Sequence, residues 1–172
     1  VPSQKFSVVA TIFPAFDFAR QMVGDTADIT MLLPPGAEVH AFEPTLQDLA
    51  LIENCDVFIY NGGESDVWVE DLLQVCDMSQ KTVIRMMDSV ELLVTGEEDH
   101  HHDHHHDHQE ADEHIWTLPQ NALKIAQDIY KGLVAQNPAL EAVYTENYSV
   151  LQKQLTDLEK EYEILHTHTH TP

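Results

Sequence analysis

Between Glu97 and Trp116 the chain reads EEDHHHDHHHDHQEADEHIW, and seven of its twelve histidines fall there in one run: His100, His101, His102, His104, His105, His106 and His108. Neutral imidazole is a ligand for zinc, copper and nickel, and interleaved carboxylates add a negative potential that draws cations in. The run lacks the apolar periodicity of an element that packs, so it reads as a flexible, solvent-facing loop. His114 stands in a different setting. Ile115, Trp116 and Leu118-Pro119 follow it, core-forming residues that hold its imidazole in the fold. Two histidine settings suggest two tasks, capture on the loop and binding at His114. The series His166, His168 and His170 near the end of the sequence reads instead as a cloning or truncation scar.

A second histidine stands where a site is expected. Phe6–Phe13 is a β-branched, apolar run of the kind that forms a strand buried on both faces. Pro14 opens a helix through Val23, Gly24-Asp25 stops it, and residues 27–33 form the next strand. Strand, helix and strand with short joints make the βαβ unit of a parallel sheet. The segment PPGAEVHAFEP then leaves the carboxyl end of the second strand, which is where open α/β sheets bind ligands, and it carries His40.

The remaining elements follow from similar signals. Pro44 suits the first turn of a helix over 45–53, with Leu46, Leu49, Ala50 and Ile52 on its apolar side. Residues 56–60 form a third strand that ends in NGGESD. The glycine pair there permits positive φ, the loop lacks the Lys-Ser/Thr of a phosphate loop, and Ser65 or Asp66 caps a helix through Gln74. Residues 82–86 are a fourth strand. Pro119 opens a helix with Ala122, Ile125, Ala126, Ile129 and Leu133 on one face, and Asn137-Pro138 breaks it. From Leu140 to Leu165 apolar residues recur at steps of four and three, a stripe on a helix about 40 Å long at 1.5 Å per residue. Such a helix either packs along the whole lobe or joins the lobe to something else. The expected fold class is therefore α/β, a parallel four-stranded sheet with flanking helices followed by one long helix.

Composition narrows the function. Eight basic against 30 acidic residues give a net charge of −22, which argues against nucleic acid and anionic membrane surfaces as partners and suits cations. A length of 172 residues with 43% hydrophobic content supports a sizeable core. No stretch approaches a membrane span, and the Val1-Pro2 opening has neither the charge nor the apolar run of an export signal, which suits a processed or trimmed chain. Cys55 and Cys76 form no CxxC. They are either a disulfide at one end of the layer, as an oxidising compartment permits, or two unpaired small apolar residues.

With these residues in hand, the sequence resembles the zinc-binding lipoproteins that serve as substrate-binding components of bacterial ABC-type zinc and manganese importers. The resemblance rests on VVATIFPAFDFARQMVGD, PPGAEVHAFEPTLQDLALIENCDVFIYNGGESDVWVEDLL, DEHIWTLPQNALKIAQDIYKGL and NPALEAVYTENYSVLQKQLTDLEKEYE. A PG-x-x-x-H loop, a D-x-H-x-W segment and an acidic histidine-rich insertion just before the latter are specific in combination. The resemblance implies one lobe of a periplasmic-binding-protein-like metal receptor, outside the cytoplasm or lipid-anchored at the outer face of the membrane, with a membrane permease as partner. It implies Zn2+ ahead of Mn2+ as the ion, and His40 and His114 as ligands of the main site. The loop histidines are then auxiliary ligands. It also implies a division into an amino-terminal lobe over 1–137 with the histidine-rich loop at 97–113, a connecting helix over 138–165, and a disordered or non-native tail over 166–172.

In that family the remaining ligands come from a second lobe, and after Leu165 the sequence reads only HTHTHTP. Two histidines leave a tetrahedral ion half coordinated. Water, the loop, a carboxylate such as Glu64 or a neighbouring molecule would complete the site, and uncovered apolar surface would favour self-association. Two other readings compete. A zinc hydrolase needs three ligands, an open position and a general base, and no H-E-x-x-H motif is present. A metal-buffering or adhesin-type surface protein would bind several ions weakly through the loop.

Overall fold

The computed structural model describes residues 5–34, 41–90 and 115–167. Four short strands, β1 (Phe6–Ala10), β2 (Ala27–Met31), β3 (Val57–Tyr60) and β4 (Thr82–Arg85), pair in parallel in the order β2-β1-β3-β4. Five helices flank them: α1 (Phe13–Val23), α2 (Leu46–Asn54), α3 (Val67–Val75), α4 (Pro119–Gln136) and α5 (Glu141–Thr167).

Alternation along the strands divides the core into two layers. Val8, Ala10, Val57, Ile59 and Ile84 face one cluster, which buries α1, α4 and the first half of α5. Val9, Phe58 and Tyr60 face the other, with Ile52 of α2 and Val69 of α3. Both faces are covered because parallel crossovers put helices on each side, which is why the central strands β1 and β3 read as largely apolar, while the edge strands β2 and β4 carry Asp28, Thr30, Thr82 and Arg85. One close approach needs glycine: a Cβ on Gly132 of α4 would stand 2.7 Å from Ile84 Cδ1.

Several boundaries differ from the sequence reading. β1 ends at Ala10 because the chain turns early, with Ile12 as the extended N-cap of α1 and Pro14 in its first turn. Pro44 lies outside α2, whose start belongs to a capping box: Thr45 Oγ1 accepts from Asp48 N at 3.1 Å and Asp48 Oδ2 accepts from Thr45 N at 2.8 Å. On α2 only Ile52 is deeply buried, while Leu46 is 85% exposed and Ala50 also faces solvent. Cys55 and Cys76 are free thiols at the carboxyl ends of α2 and α3.

α5 is held to the lobe at its root. Tyr144 is fully buried, and its Oη accepts from Asn137 Nδ2 at 3.0 Å and from Thr26 Oγ1 at 3.3 Å. Asn147 Nδ2 donates to Met22 O at 2.8 Å, and Tyr148 stacks on Tyr130 with centroids 4.5 Å apart. Leu151 and Leu155 are buried in their turn. Beyond them the same stripe emerges into solvent, with Leu158 50%, Tyr162 38% and Leu165 67% exposed. The helix continues past the expected end of the stripe and includes His166 and Thr167. Among the described residues no helix is long and apolar enough to cross a membrane.

Candidate metal site

The strand order fixes where a ligand belongs. Connections run one way from β1 to β2 and the other way to β3 and β4, so the reversal lies between β1 and β3, and a crevice opens beyond their carboxyl ends. The segments that leave this edge are Thr11-Ile12 after β1, the stretch after β2 that returns at Ala41, the turn Asn61–Asp66 after β3, and Met86–Ser89 after β4.

Two of those segments, with the first turn of α3, line a half-open cavity of about 310 Å3, with Ala41, Phe42 and Glu43 on one side and Glu64, Ser65, Val67 and Trp68 on the other. Phe42 and Trp68 meet as a tilted aromatic pair at 5.2 Å and form its apolar wall. The Trp68 Nε1 is buried and has no acceptor among the described residues. Glu43 and Glu64 supply carboxylate oxygens.

The turn that presents Glu64 is built from the inside. Gly62 (φ 94°) and Gly63 (φ 84°) adopt backbone angles that side chains disfavour, as the glycine pair in the sequence anticipates. Asp66 stands at the N-cap position of α3, yet its carboxylate does not cap that helix. Its Oδ2 reaches back and accepts from Asn61 N and Gly62 N, both at 3.0 Å, and so closes the turn. Met87 N donates to Asn61 O at 3.0 Å, which joins the segment after β4 to the same turn. Next to it, burial and a 3.0 Å hydrogen bond to Glu70 push the Tyr60 hydroxyl up, so it stays protonated as a donor.

Of the residues that the sequence singles out, Glu64 is at this cavity. His40 and His114 lie outside the described residues, as do His100, His101, His102, His104, His105, His106 and His108. His40 is covalently next to Ala41 of the cavity wall, and His114 is next to Ile115, which is buried in the core against α4. Among the described residues no three of His, Cys, Asp and Glu stand close enough to hold a metal. Sequence reasoning missed Phe42, Glu43 and Trp68. The proximity of Ala41-Phe42-Glu43 to His40 in the chain was the available signal.

A doubly wound α/β lobe with an acidic cavity beyond the strand ends, followed by a long helix, is the architecture of a periplasmic-binding-protein-like lobe. Residues 8–169 match the family described as zinc-uptake complex component A, periplasmic, and the chain belongs to that family. It is 32% identical over 161 residues to the zinc-binding lipoprotein AdcA of Streptococcus pneumoniae, and 33% identical over 161 residues to the high-affinity zinc uptake system protein ZnuA of Bacillus subtilis. Each alignment covers 92% of this chain, but 32% of AdcA and 50% of ZnuA, so the chain spans a third to a half of these relatives. The crystal structure of the Zn(II)-bound ZnuA-like domain of S. pneumoniae AdcA superposes with a TM-score of 0.76 at 29% identity, over 92% of this chain and 55% of that one.

Proposed function

We propose that this chain is the amino-terminal, metal-receiving lobe of an extracytoplasmic zinc receptor that passes its ion to the membrane permease of an ABC importer. Family membership over 8–169 is the observation that carries this reading. The acidic cavity adjoining His40 in the chain agrees with it. His40 and His114 are the principal ligands, and Glu64 is an oxygen donor beside them. Imidazole nitrogen with carboxylate oxygen is a donor set that zinc accepts and that manganese, which favours oxygen, accepts less well.

Uptake then has three steps. The net charge of −22 concentrates cations near the surface, the imidazoles between His100 and His108 take zinc transiently, and the ion passes to His40 and His114. No bond is made or broken except to the metal. Residues 1–137 form the receiving lobe, and the connecting helix that follows from 138 runs on through Thr167. As a lipid-anchored or periplasmic protein the chain would meet its permease at the outer face of the membrane. The apolar surface on the second half of α5 gives it a tendency to self-associate.

Calorimetric titration with zinc tests the assignment. Changing both His40 and His114 to alanine removes the tightest site, whereas deleting residues 99–108 leaves it in place. Affinity falls as pH drops through about 6.5, where protons compete for imidazole nitrogen. Loss of the tight site on loop deletion alone would make the chain a metal-gathering module instead.

A further inference from the structure

The turn that carries Glu64 is also gripped from outside, by a guanidinium with no place among the proposed ligands. A Cβ on Gly62 would stand 2.7 Å from Arg85 Nε and 3.0 Å from its Cζ, so the Arg85 head group rests directly on the Gly62 backbone. Two carboxylates hold that head group there, one of them fixed in turn by β3. Nη1 donates to Asp88 Oδ1 at 2.6 Å in the turn after β4. Nε stands 3.3 Å from Glu70 Oε1 of α3, an ion-pair contact rather than an aligned hydrogen bond. The same Glu70 oxygen accepts from Tyr60 Oη of β3 at 3.0 Å.

This arrangement contributes little as a stabilising device. The Glu70 and Asp88 side chains are 48% and 69% exposed, and exposed ion pairs are screened by solvent and contribute little to stability. Its consequence is geometric. Arg85 covers one side of Gly62 while the Asp66 carboxylate binds the Gly62 N–H, so the residue two positions before Glu64 is fixed between two side chains.

We infer that Arg85 is a positioning residue for metal binding, which acts through the Gly62-Gly63 turn to hold Glu64 toward the cavity. The inference rests on the reading of Glu64 as an oxygen donor to the ion. A rigid guanidinium fork makes this grip and a lysine ammonium does not, because the two are not interchangeable where several fixed donors are used at once. The sign of the effect separates positioning from simple charge. A cation near a metal site repels the metal, so if Arg85 acted by charge alone its removal would tighten zinc binding and Arg85→Lys would change nothing.

The test is zinc titration on the whole chain with Arg85→Ala and Arg85→Lys, each alone and combined with Glu64→Gln, with circular dichroism as the control for folding. Positioning weakens zinc binding by about tenfold in both single variants, the lower end of what contacts behind a metal ligand usually contribute. That loss disappears in the Glu64→Gln background. Unchanged or tighter binding in Arg85→Lys overturns the inference, as does a loss of equal size with and without Glu64. Arg85→Lys keeps the stem and the charge, so it carries the test if Arg85→Ala does not fold. A wild-type chain without a site dependent on His40 and His114 overturns the proposed function and this inference together, and the wild-type titration alone reveals it.

Discussion

Cys55 and Cys76 close the carboxyl ends of α2 and α3, yet their thiols go separate ways. Cys55 Sγ turns inward and donates to Ile52 O at 3.0 Å, whereas Cys76 Sγ lies 3.8 Å from Glu53 Oε1 at the surface. Burial raises the Cys55 thiol from 9.0 to about 11, against a smaller opposing pull from Lys81, while the unfolded chain keeps the ordinary value. The sign follows from proton linkage. Between pH 9 and 11 the unfolded state loses this proton and the folded state keeps it, so stability falls as pH rises through that window. The loss attributable to this thiol is roughly 2–3 kcal/mol, since each pKa unit corresponds to about 1.4 kcal/mol. Urea unfolding at pH 8 and pH 10.5 measures it. The wild-type chain should lose more stability across this range than Cys55→Ala, which has nothing to ionise, and equal losses would show that the buried thiol is not responsible. At neutral pH the same burial predicts that Cys55 resists thiol reagents in the folded chain, while Cys76 reacts first.

The long helix α5 has two halves with different energetics. Tyr144, Leu151 and Leu155 are buried against α1 and α4, and the side chains that continue their stripe are open to solvent. Leu151→Ala should therefore cost about 2–4 kcal/mol, the usual range for a buried leucine that leaves a cavity. Leu165→Ala, on the same stripe, should stay within about 0.5 kcal/mol of wild type. Denaturant unfolding of the two variants checks the contrast, and similar costs would mean that the second half packs on the lobe in solution. This contrast also marks what the sequence can convey. Steps of four and three identify which face of α5 is apolar, but the period is the same whether or not a partner lies along it. The central strands β1 and β3 were legible because both of their faces are buried, and α4 because its apolar positions sit on one strong face. α2 was misread because nine residues give the period little to act on, and Leu46 counts as apolar wherever it points. At the cavity, Glu64 could be nominated from its chemistry and its place after β3. The meeting of Phe42 and Glu43 with Trp68 could not, since it depends on how two loops from different strands cross, which no local pattern records.

At the scale of the whole molecule, a net charge of −22 acts on the two proposed functions of the surface with opposite signs. It attracts zinc and repels a second copy of the chain. The exposed second half of α5 works against that repulsion. Leu158, Tyr162 and Leu165 extend the four-three spacing of a helix-pairing seam into solvent, and Glu159, Glu161 and Glu163 border it. Salt therefore separates the two effects. Raising ionic strength from 0.01 M to 1 M shortens the screening length from about 30 Å to about 3 Å, which removes most of the repulsion between copies and leaves apolar burial in place. Sedimentation experiments should find a monomer at low salt and growing dimer at high salt, while the rate of zinc capture falls over the same range. Leu158→Glu with Leu165→Glu should abolish the dimer at every salt concentration without altering zinc affinity, because the changed residues lie on the emergent part of α5 rather than on the segments that line the cavity. A dimer that survives these substitutions would place the self-association elsewhere, and dissociation on adding salt would mean that ion pairs rather than this apolar stripe hold the copies together.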